Sequence, residues 1–255
     1  MKAAAEKSSQ NPKIVGVLMT YNCVRLVGDV YGRIPKEFFD LIICVDDGST
    51  DDTCAVVHRL GIPVFPHPHT GYGGNLLFGL RKALELGASH VIEIHGDGQF
   101  DLASLPATLD QLRAGCDLVL GNRFYDYWQP LRDGMSPIRY LGNLSLSTLG
   151  RIGTGVRQSD LFTGTRAYSR RLVETLDFSN NNQDYFFSFE IIAQARFCNL
   201  RFGQVATRCN YRGQHTSMNL WKGILEIFQT AYTVFLFRLA RCSIKRGVFA
   251  RLETA

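Results

Sequence analysis

The first half of the chain alternates continuous apolar runs with segments that have helical periodicity. The apolar runs predict five strands, at residues 14–20, 41–45, 62–65, 90–94 and 117–120. The helical segments cover residues 53–60, 75–86 and 102–114, and another ends near residues 34–35. Continuous apolar character is typical of parallel strands that are covered on both faces. The pattern therefore predicts an α/β fold, with a Rossmann-like, mostly parallel sheet flanked by helices.

The pattern is looser in the second half of the chain. It predicts helices near 140–152 and over 185–198, a strand over 202–210, and a partly amphipathic, partly apolar helix over 221–240. We expect a disordered tail over residues 1–12, one globular domain over 13–217, and a C-terminal helix with a basic end over 218–255.

Composition narrows the class of protein. Hydrophobic residues make up 45% of the 255 positions and charged residues 20%, which is typical of a folded globular chain. The net charge of +5 is too small to indicate nucleic acid, and we expect no such partner. The seven cysteines lack the paired spacing of zinc or disulfide sites, which favours reduced thiols. The first residues have no apolar core of a signal peptide, so we expect a cytoplasmic location.

Three polar clusters follow predicted strands. Asp46 and Asp47 come directly after the second strand, a glycine-rich segment at 71–74 follows the third, and residues 97–99 follow the fourth. The carboxyl ends of parallel strands meet at one edge of a sheet, where ligands bind in open α/β folds. This placement predicts a nucleotide-like ligand at that edge.

The first two clusters have both a ligand-binding and a structural interpretation. Asp46 and Asp47 can accept hydrogen bonds from a base or a ribose, or can serve only as turn and cap residues. The glycines of 71–74 with Asn75 can form a backbone site for an anion at a helix start, although they match no phosphate-loop motif.

The third cluster has the chemistry of a metal site. Asp97 and Gln99 supply a carboxylate and an amide oxygen, which suit Mg²⁺ or Mn²⁺ when diphosphate oxygens complete the shell. The alternative is a Gly-Asp-Gly turn without metal. A lone histidine at a strand end is more often structural, so His95 is left out of the predicted ligand set.

Five motifs together resemble those of family 2 glycosyltransferases, in the branch similar to dolichyl-phosphate mannose synthase and related polyprenyl-phosphate sugar transferases. They are V-D-D-G-S-T-D-D-T at 45–53, G-Y-G-G-N at 71–75, G-D-G-Q at 96–99, G-N-R at 121–123 and D-L-F-T-G-T-R-A-Y at 160–168. The similarity runs from about residue 14 to residue 217. It implies a GT-A fold and an inverting transfer from a nucleotide sugar.

The resemblance also implies roles for particular residues. The positions that match nucleotide-sugar contacts are Thr20, Asn22, Asp46, Asp47, Gly73, Gly74, Asn75 and Asp97. The positions that match the acceptor or phosphate side are Arg123, Thr163, Arg166, Arg212 and Ser217. Glu190 matches an acid on the helix behind the site. Asp97 matches the second acid of the D-x-D metal motif and Gln99 the amide that follows, but His95 stands where the first acid is expected.

Catalytic roles are implied for Asp97, Asp160 and Arg166. The metal and nearby arginines would stabilise the departing nucleotide diphosphate. A phosphate acceptor is already an anion and needs no strong base, whereas a hydroxyl acceptor needs one, for which Asp160 is the candidate. The alternative role of Asp160 is a helix or turn cap.

The apolar stretch of the predicted C-terminal helix is followed by basic residues, at positions 238, 241, 245, 246 and 251. An apolar helix with a basic end can lie on an anionic membrane, and this one is borderline for spanning a bilayer, which takes ~20 apolar residues. The alternative is a core or dimer helix. We favour peripheral membrane contact, because a lipid-linked acceptor would require it.

The sequence thus predicts an enzyme, assisted by Mg²⁺ or Mn²⁺, that moves a hexose from a UDP- or GDP-sugar to polyprenyl phosphate at the cytoplasmic face of the membrane. The alternatives are transfer to a sugar hydroxyl of a glycolipid or polysaccharide precursor, a non-catalytic nucleotide-sugar-binding partner, and a nucleotidyltransferase. The loop at residues 21–25 argues against the last, because it lacks a glycine-rich, basic character.

Overall fold

The computed structural model describes residues 13–211 and 220–253. Within those ranges the strands form one seven-stranded sheet. They are β1 (Ile14–Thr20), β2 (Leu41–Asp46), β3 (Val64–Pro66), β4 (His90–His95), β5 (Leu118–Asn122), β6 (Arg166–Ser169) and β7 (Phe202–Ala206). Their order across the sheet is β3-β2-β1-β4-β6-β5-β7.

The strands from the first half of the chain are parallel. β1 is an interior strand that pairs with β2 on one side and β4 on the other, and it is buried along its whole length. β6 runs antiparallel between β4 and β5, while β7 is parallel to β5 at the far edge. The prediction of a mostly parallel sheet is confirmed. The one reversed strand was not predicted, because its four residues are too few to show a period.

Helices cover both faces of the sheet. They are α1 (Val27–Arg33), α2 (Thr53–Arg59), α3 (Tyr72–Glu85), α4 (Leu105–Arg113), α5 (Gln129–Arg132), α6 (Pro137–Thr154), α7 (Arg170–Thr175), α8 (Phe187–Phe197) and α9 (Leu220–Arg241). Apolar residues of α1, α2 and α4 form the core on one face, and those of α3, α7, α8 and α9 form the core on the other. The fold therefore has three layers, with the sheet in the middle.

Several element boundaries differ from the sequence prediction. α3 begins at Tyr72, so the predicted glycine-rich turn is the first turn of this helix. The strand predicted over 202–210 ends at Ala206, where its partner β5 also ends, and pairing resumes only as a single bridge between Phe100 and Cys209. The predicted tail, and the predicted boundary between residues 217 and 218, lie outside the described residues.

The last helix is packed on one side against the domain. Phe237 of α9 lies edge-on to Phe197 of α8, with ring centroids 6.4 Å apart. Val234 packs against Gly153 of α6, where a Cβ atom would approach it to 2.4 Å. The inward side of α9 is therefore part of the core formed by α3, α7 and α8.

Candidate active site

The carboxyl ends of β1, β2 and β4 bring the first predicted site residues together. Thr20 lies opposite Asp46 in the register of β1 and β2, and Met19 lies opposite His95 in that of β1 and β4. The Thr20 hydroxyl donates a hydrogen bond to the Asp46 carboxylate at 2.9 Å. The edge predicted from the parallel pattern is therefore present, and it carries polar groups from three adjacent strands.

Asp46 organises the turn that follows β2. Besides the Thr20 hydroxyl, its buried carboxylate accepts hydrogen bonds from the backbone N–H of Ser49 at 2.8 Å and from the Ser49 hydroxyl at 2.6 Å. Three donors thus fix the side chain, which is the structural role that turn chemistry predicts for this aspartate. Contact with a nucleoside stays a prediction for this residue.

Asp47 ties the next loop to the same edge. Its buried carboxylate accepts hydrogen bonds from the backbone N–H groups of Thr70 at 2.7 Å and Gly71 at 3.0 Å, and lies 2.8 Å from Nδ1 of His69. The side chain therefore holds the segment that leads into α3. Its two oxygens are both engaged within the protein.

Exposed groups flank these two acids. Asn22 has a left-handed backbone with φ of 46°, and its side-chain oxygen accepts a hydrogen bond from the Thr50 N–H at 2.8 Å. Tyr21 stacks on His69 with ring centroids 4.6 Å apart, and about half of each side chain is exposed. The edge therefore has an open aromatic surface that the sequence prediction did not include.

The glycines of 71–74 do not form the predicted anion site. The backbone N–H groups of Gly73 and Gly74 both donate to the carbonyl of Gln183, at 2.7 and 3.2 Å. A Cβ atom on Gly73 would lie 2.5 Å from Phe187 of α8, so this glycine allows the two helices to approach closely. The prediction of an anion site on these amides is wrong in this structure, because their donors are already used.

Asn75 is buried in the first turn of α3 and bridges the strands beneath it. Its amide nitrogen lies 3.5 Å from the carbonyls of both Thr20 and Val45, and its oxygen lies 3.0 Å from Nε2 of His67. These contacts fix the start of α3 against the ends of β1 and β2. The residue supports the edge from below.

Asp97 and Gln99 lie on the loop after β4. Asp97 is exposed, and its carboxylate accepts a hydrogen bond from the Gln99 N–H at 2.9 Å across Gly98, whose φ is +67°. The loop adjoins Thr20, since a Cβ atom on Gly96 would lie 3.1 Å from the Thr20 methyl group. The predicted metal pair is therefore at the same edge as Thr20 and Asp46.

The donor set at this loop fits one kind of metal site. Within residues 13–211 and 220–253, no group of three or more His, Cys, Asp and Glu side chains is placed to hold a metal ion. Mg²⁺ often binds through one or two protein carboxylates and completes its shell with phosphate oxygens and water. Asp97 and Gln99 fit a cation that arrives with a diphosphate, and they do not form a cage made of protein ligands alone.

His95 takes part in a buried polar network around Glu93. Nε2 of His95 lies 2.8 Å from Glu93 and 3.1 Å from the carbonyl of Gly164. The hydroxyl groups of Tyr72 and Tyr168 donate to the two Glu93 oxygens at 2.5 and 2.7 Å. One carboxylate therefore joins β4, α3, β6 and the loop before β6.

Within this network, Glu93 and His95 each favour the charged form of the other. Burial alone would raise the pKa of Glu93, but the hydrogen bond and charge of His95, with Arg166 and Tyr72, outweigh it and lower that pKa. Burial alone would lower the pKa of His95, but Glu93 and then Asp97 outweigh it and raise that pKa. His95, which stands where the first acid of the D-x-D motif is expected, is thus paired with Glu93 two residues earlier.

Sequence reasoning missed Glu93, although one signal was available. The strand H-V-I-E-I-H contains a single carboxylate among apolar residues. A carboxylate inside a buried strand needs paired donors, so it indicates a polar network rather than a solvated face. The network partners Tyr72 and Tyr168 come from distant parts of the chain and carry no such signal.

Arg123 and Asp160 form a buried ion pair. Both side chains are almost fully covered, and the guanidinium makes two hydrogen bonds to the carboxylate, at 2.7 and 2.9 Å. The Arg123 backbone N–H donates to the same carboxylate at 3.1 Å, and the Tyr211 hydroxyl accepts from the guanidinium at 3.0 Å. The pair closes the 160–166 loop onto the end of β5.

The geometry contradicts the predicted role of Asp160 as a base. Its oxygens are inaccessible and accept hydrogen bonds from Arg123 and from the Phe162 N–H. The alternative role, a residue that caps the loop, fits the structure. Proton transfer from an acceptor would require this carboxylate to leave its partner and reach the surface.

Thr163 and Arg166 are also turned into the protein. Arg166 donates to the carbonyls of Thr163 at 2.8 Å and Leu161 at 3.2 Å, and its charge lowers the pKa of Glu93. The Thr163 hydroxyl accepts from the Thr165 N–H at 3.2 Å, and both predicted residues are buried. The expected direct contact of these residues with acceptor is not supported, because both side chains brace their own loop. Arg212 and Ser217 lie outside the described residues.

Glu190, which matches an acid on the helix behind the site, lies in α8 and supports the segment before it. Its carboxylate accepts a hydrogen bond from the Asn182 N–H at 2.7 Å, and burial raises its pKa to about 7. Gln183, which follows Asn182, has the carbonyl that accepts hydrogen bonds from the backbone N–H groups of Gly73 and Gly74. Asp184, which the sequence prediction omitted, is exposed on this segment beside Gly71, where a Cβ atom would lie 3.3 Å from its carboxylate.

Comparisons with known proteins agree with this architecture. The model of the family named glycosyl transferase family 2 matches residues 19–177. A UDP-N-acetylglucosamine–dolichyl-phosphate N-acetylglucosaminyltransferase of Methanococcus voltae is 24% identical over 247 residues, covering 88% of this chain and 96% of that protein. A polyprenol monophosphomannose synthase of Mycolicibacterium smegmatis is 29% identical over 196 residues, covering 70% of each.

A solved structure shows the same fold. Glucosyl-3-phosphoglycerate synthase from Mycobacterium tuberculosis, in complex with UDP, superposes with a TM-score of 0.66 at 21% identity, covering 92% of this chain and 82% of that one. The same synthase has been crystallised with Mn²⁺ and UDP-glucose. The GT-A fold expected from the motifs is confirmed.

Proposed function

The chain belongs to glycosyl transferase family 2, and from that premise we propose that it transfers a hexose, with inversion, from a UDP- or GDP-sugar to polyprenyl phosphate. The observation that carries the proposal is the position of Asp97 and Gln99. They follow β4 at the edge where β1 and β2 also end, the usual place for a ligand in an open α/β sheet. The names of the two relatives, both of which act on polyprenyl-type phosphates, supply the acceptor class.

Asp97 and Gln99 would hold Mg²⁺ or Mn²⁺ together with the donor diphosphate. When bound, the cation supplies positive charge to the diphosphate as it leaves the sugar. Arg33 adds a second positive charge, since its guanidinium lies against Gly98. Thr20, Asn22, Asp46, Asp47 and Asn75 shape the edge that receives the nucleoside, chiefly by fixing its loops.

A phosphate acceptor suits the buried state of Asp160. The phosphate oxygen is already an anion at neutral pH, so the reaction needs no protein base. Transfer to a sugar hydroxyl is the second candidate, and one observation favours it: the exposed carboxylate of Asp184 beside the start of α3. A lipid-linked acceptor further implies that the enzyme works in peripheral contact with a membrane, which we place at its cytoplasmic face.

The first test measures nucleotide-sugar binding by thermal shift. Wild type is compared with Asp97→Asn, which keeps the acceptor oxygen for the Gln99 N–H but removes the charge. We expect UDP-glucose or GDP-mannose with Mn²⁺ to stabilise the wild type by about 2.7 kcal/mol at a hundredfold excess over Kd. We expect chelator or Asp97→Asn to abolish that gain.

The matched control is Asp110→Asn, which removes a charge from an exposed i,i+3 pair on α4. It should respond to the nucleotide sugar as the wild type does. Stabilisation that persists in Asp97→Asn and with chelator would contradict the proposed metal pair. A separate transfer assay with labelled sugar tests the acceptor. Transfer to polyprenyl phosphate but not to polyprenol would identify a phosphate acceptor, whereas transfer to a glycan hydroxyl would favour the second candidate.

A further inference from the structure

Exposed apolar side chains are concentrated in two segments of the chain. Among the described residues, all but three of the exposed large hydrophobic side chains lie between residues 125 and 152 or between 221 and 244. The three exceptions are Tyr21, Leu26 and Tyr185. A concentration of this kind marks a surface that another apolar phase or a partner covers.

α9 carries the largest share of these side chains. Its outer stripe consists of Trp221, Leu225, Phe228, Tyr232 and Phe235, spaced four, three, four and three residues apart. This spacing places them on one face of a helix. The stripe is well exposed, with Phe228 at 69% and Trp221 at 78% of their full accessible surface.

The opposite face of α9 is already packed. The side chains of Thr230, Thr233, Leu236, Phe237 and Ala240 are buried against the domain. The segment Gly223–Arg241 is long and apolar enough to cross a membrane by length and composition. The contacts of Phe237 with Phe197 and Phe249 would be lost if the helix left the domain to span a bilayer. If α9 instead lies along the membrane surface, its inner face stays packed against the domain and its outer stripe contacts lipid.

The charges around the stripe favour an anionic partner. Basic residues follow the stripe at Arg238, Arg241, Lys245, Arg246 and Arg251, and all are exposed. From residue 220 to residue 253 the only acidic residues in the sequence are Glu226 and Glu253. An identical surface from a second copy carries the same excess of basic residues and few carboxylates to pair with them, whereas anionic phospholipid headgroups would pair with them.

The surface also reaches towards the candidate active site. α6, which packs along α9, has Ile138 and Leu141 exposed near its start. Close to that start, Met135 packs in a small apolar cluster with Tyr211 and Phe100, and Phe100 directly follows Gln99. The loop that carries the metal pair therefore adjoins the end of α6 where apolar side chains are exposed.

We propose that the outer stripe of α9 docks the protein on a bilayer that contains anionic phospholipids, with the helix parallel to the surface. The aromatic side chains enter the headgroup region and the basic residues after them bind lipid phosphates. The inference rests on the proposed function in that a docked protein presents the candidate site to a lipid-linked acceptor. The docking itself requires no transfer reaction.

The test is flotation of the full chain with vesicles. One set contains phosphatidylcholine alone and the other contains phosphatidylcholine with phosphatidylglycerol. We expect the wild type to float with the anionic vesicles, and to float several-fold less with neutral vesicles or in 0.5 M salt, which shortens the screening length to roughly 4 Å. The double variant Phe228→Ser/Phe235→Ser should lower the partition coefficient at least about tenfold. Leu26→Ser, which removes an exposed apolar side chain elsewhere, should float as the wild type does.

The outcomes separate this inference from the proposed function. A wild type that floats with neither vesicle, or that forms a dimer lost in the double variant, would overturn the docking. If the double variant no longer floats but keeps the nucleotide-dependent thermal shift, the docking is supported, because the shift shows that the variant is folded. Intact flotation without any nucleotide-dependent shift would overturn the transferase proposal alone.

Discussion

The two sides of the candidate site use their polar residues in opposite ways. On the side predicted for the donor, Asp97 is exposed on a loop, and Tyr21 and Asn22 are exposed as well. On the side predicted for the acceptor, Arg123, Asp160, Thr163 and Arg166 are buried. Their hydrogen bonds hold the 160–166 loop against the end of β5. Motifs of the same family thus mark an exposed loop on one side and an internal brace on the other.

The difference teaches that a motif specifies residue type but not the direction of its polar atoms. A carboxylate that must stay buried is recognisable by its donors, as with the guanidinium and backbone N–H on Asp160. A carboxylate that is to meet a ligand must be accessible, and Asp97, for which that role is proposed, is exposed. Variants that remove the charge without changing the shape therefore separate the two classes.

The largest effect is expected at the buried pair. Asp160→Asn leaves Arg123 buried without a counter-charge, which should lower the free energy of unfolding by about 3–5 kcal/mol. Urea denaturation would measure this loss. The control Asp110→Asn breaks the exposed pair with Arg113 and should cost below about 1 kcal/mol. Equal effects of the two substitutions would contradict the bracing role.

A smaller and pH-dependent effect is expected at Glu190. Its pKa in the folded protein is about 7, above the ordinary 4.5, so the folded state retains a proton that the unfolded state releases. Its contribution to stability is full below pH 4.5 and is lost as the pH rises through 7.

The comparison with Glu190→Gln isolates this contribution. Between pH 5 and 8 the unfolding free energy of the wild type should fall by up to about 3 kcal/mol relative to that of the variant. Glutamine can still accept the Asn182 N–H, so the fold should remain. Parallel stability curves for the two proteins would show that the carboxyl group titrates normally.

The smallest effect on stability is expected on the donor side. Asp97→Asn should change the unfolding free energy by less than about 0.5 kcal/mol, because the side chain is exposed and the variant keeps its turn hydrogen bond. The same substitution should remove the metal-dependent response to nucleotide sugar. A large loss of stability would place Asp97 among the bracing residues instead.

The sequence allowed the sheet and its binding edge to be predicted, because buried parallel strands have an unambiguous apolar pattern. β1, β2 and β4 are long enough to show it, and the polar residues after them lie where the topology requires. The reversed strand β6 has four residues and no period, so neither its direction nor the inward turn of Arg166 was visible. The use of the Gly73 and Gly74 amides depends on a carbonyl at residue 183, which no local pattern indicates.

The Glu93–His95 contact couples these two positions, so a substitution at either one changes what the other can be. An acid at position 95 alone would place a second carboxylate near the buried Glu93 carboxylate, and the two like charges would compete for one proton. Conversely, an apolar residue at 93 would leave the imidazole and the hydroxyls of Tyr72 and Tyr168 without their common acceptor. The route between this site and one with two metal-binding acids therefore passes through paired substitutions, and single steps along it are expected to show strong epistasis.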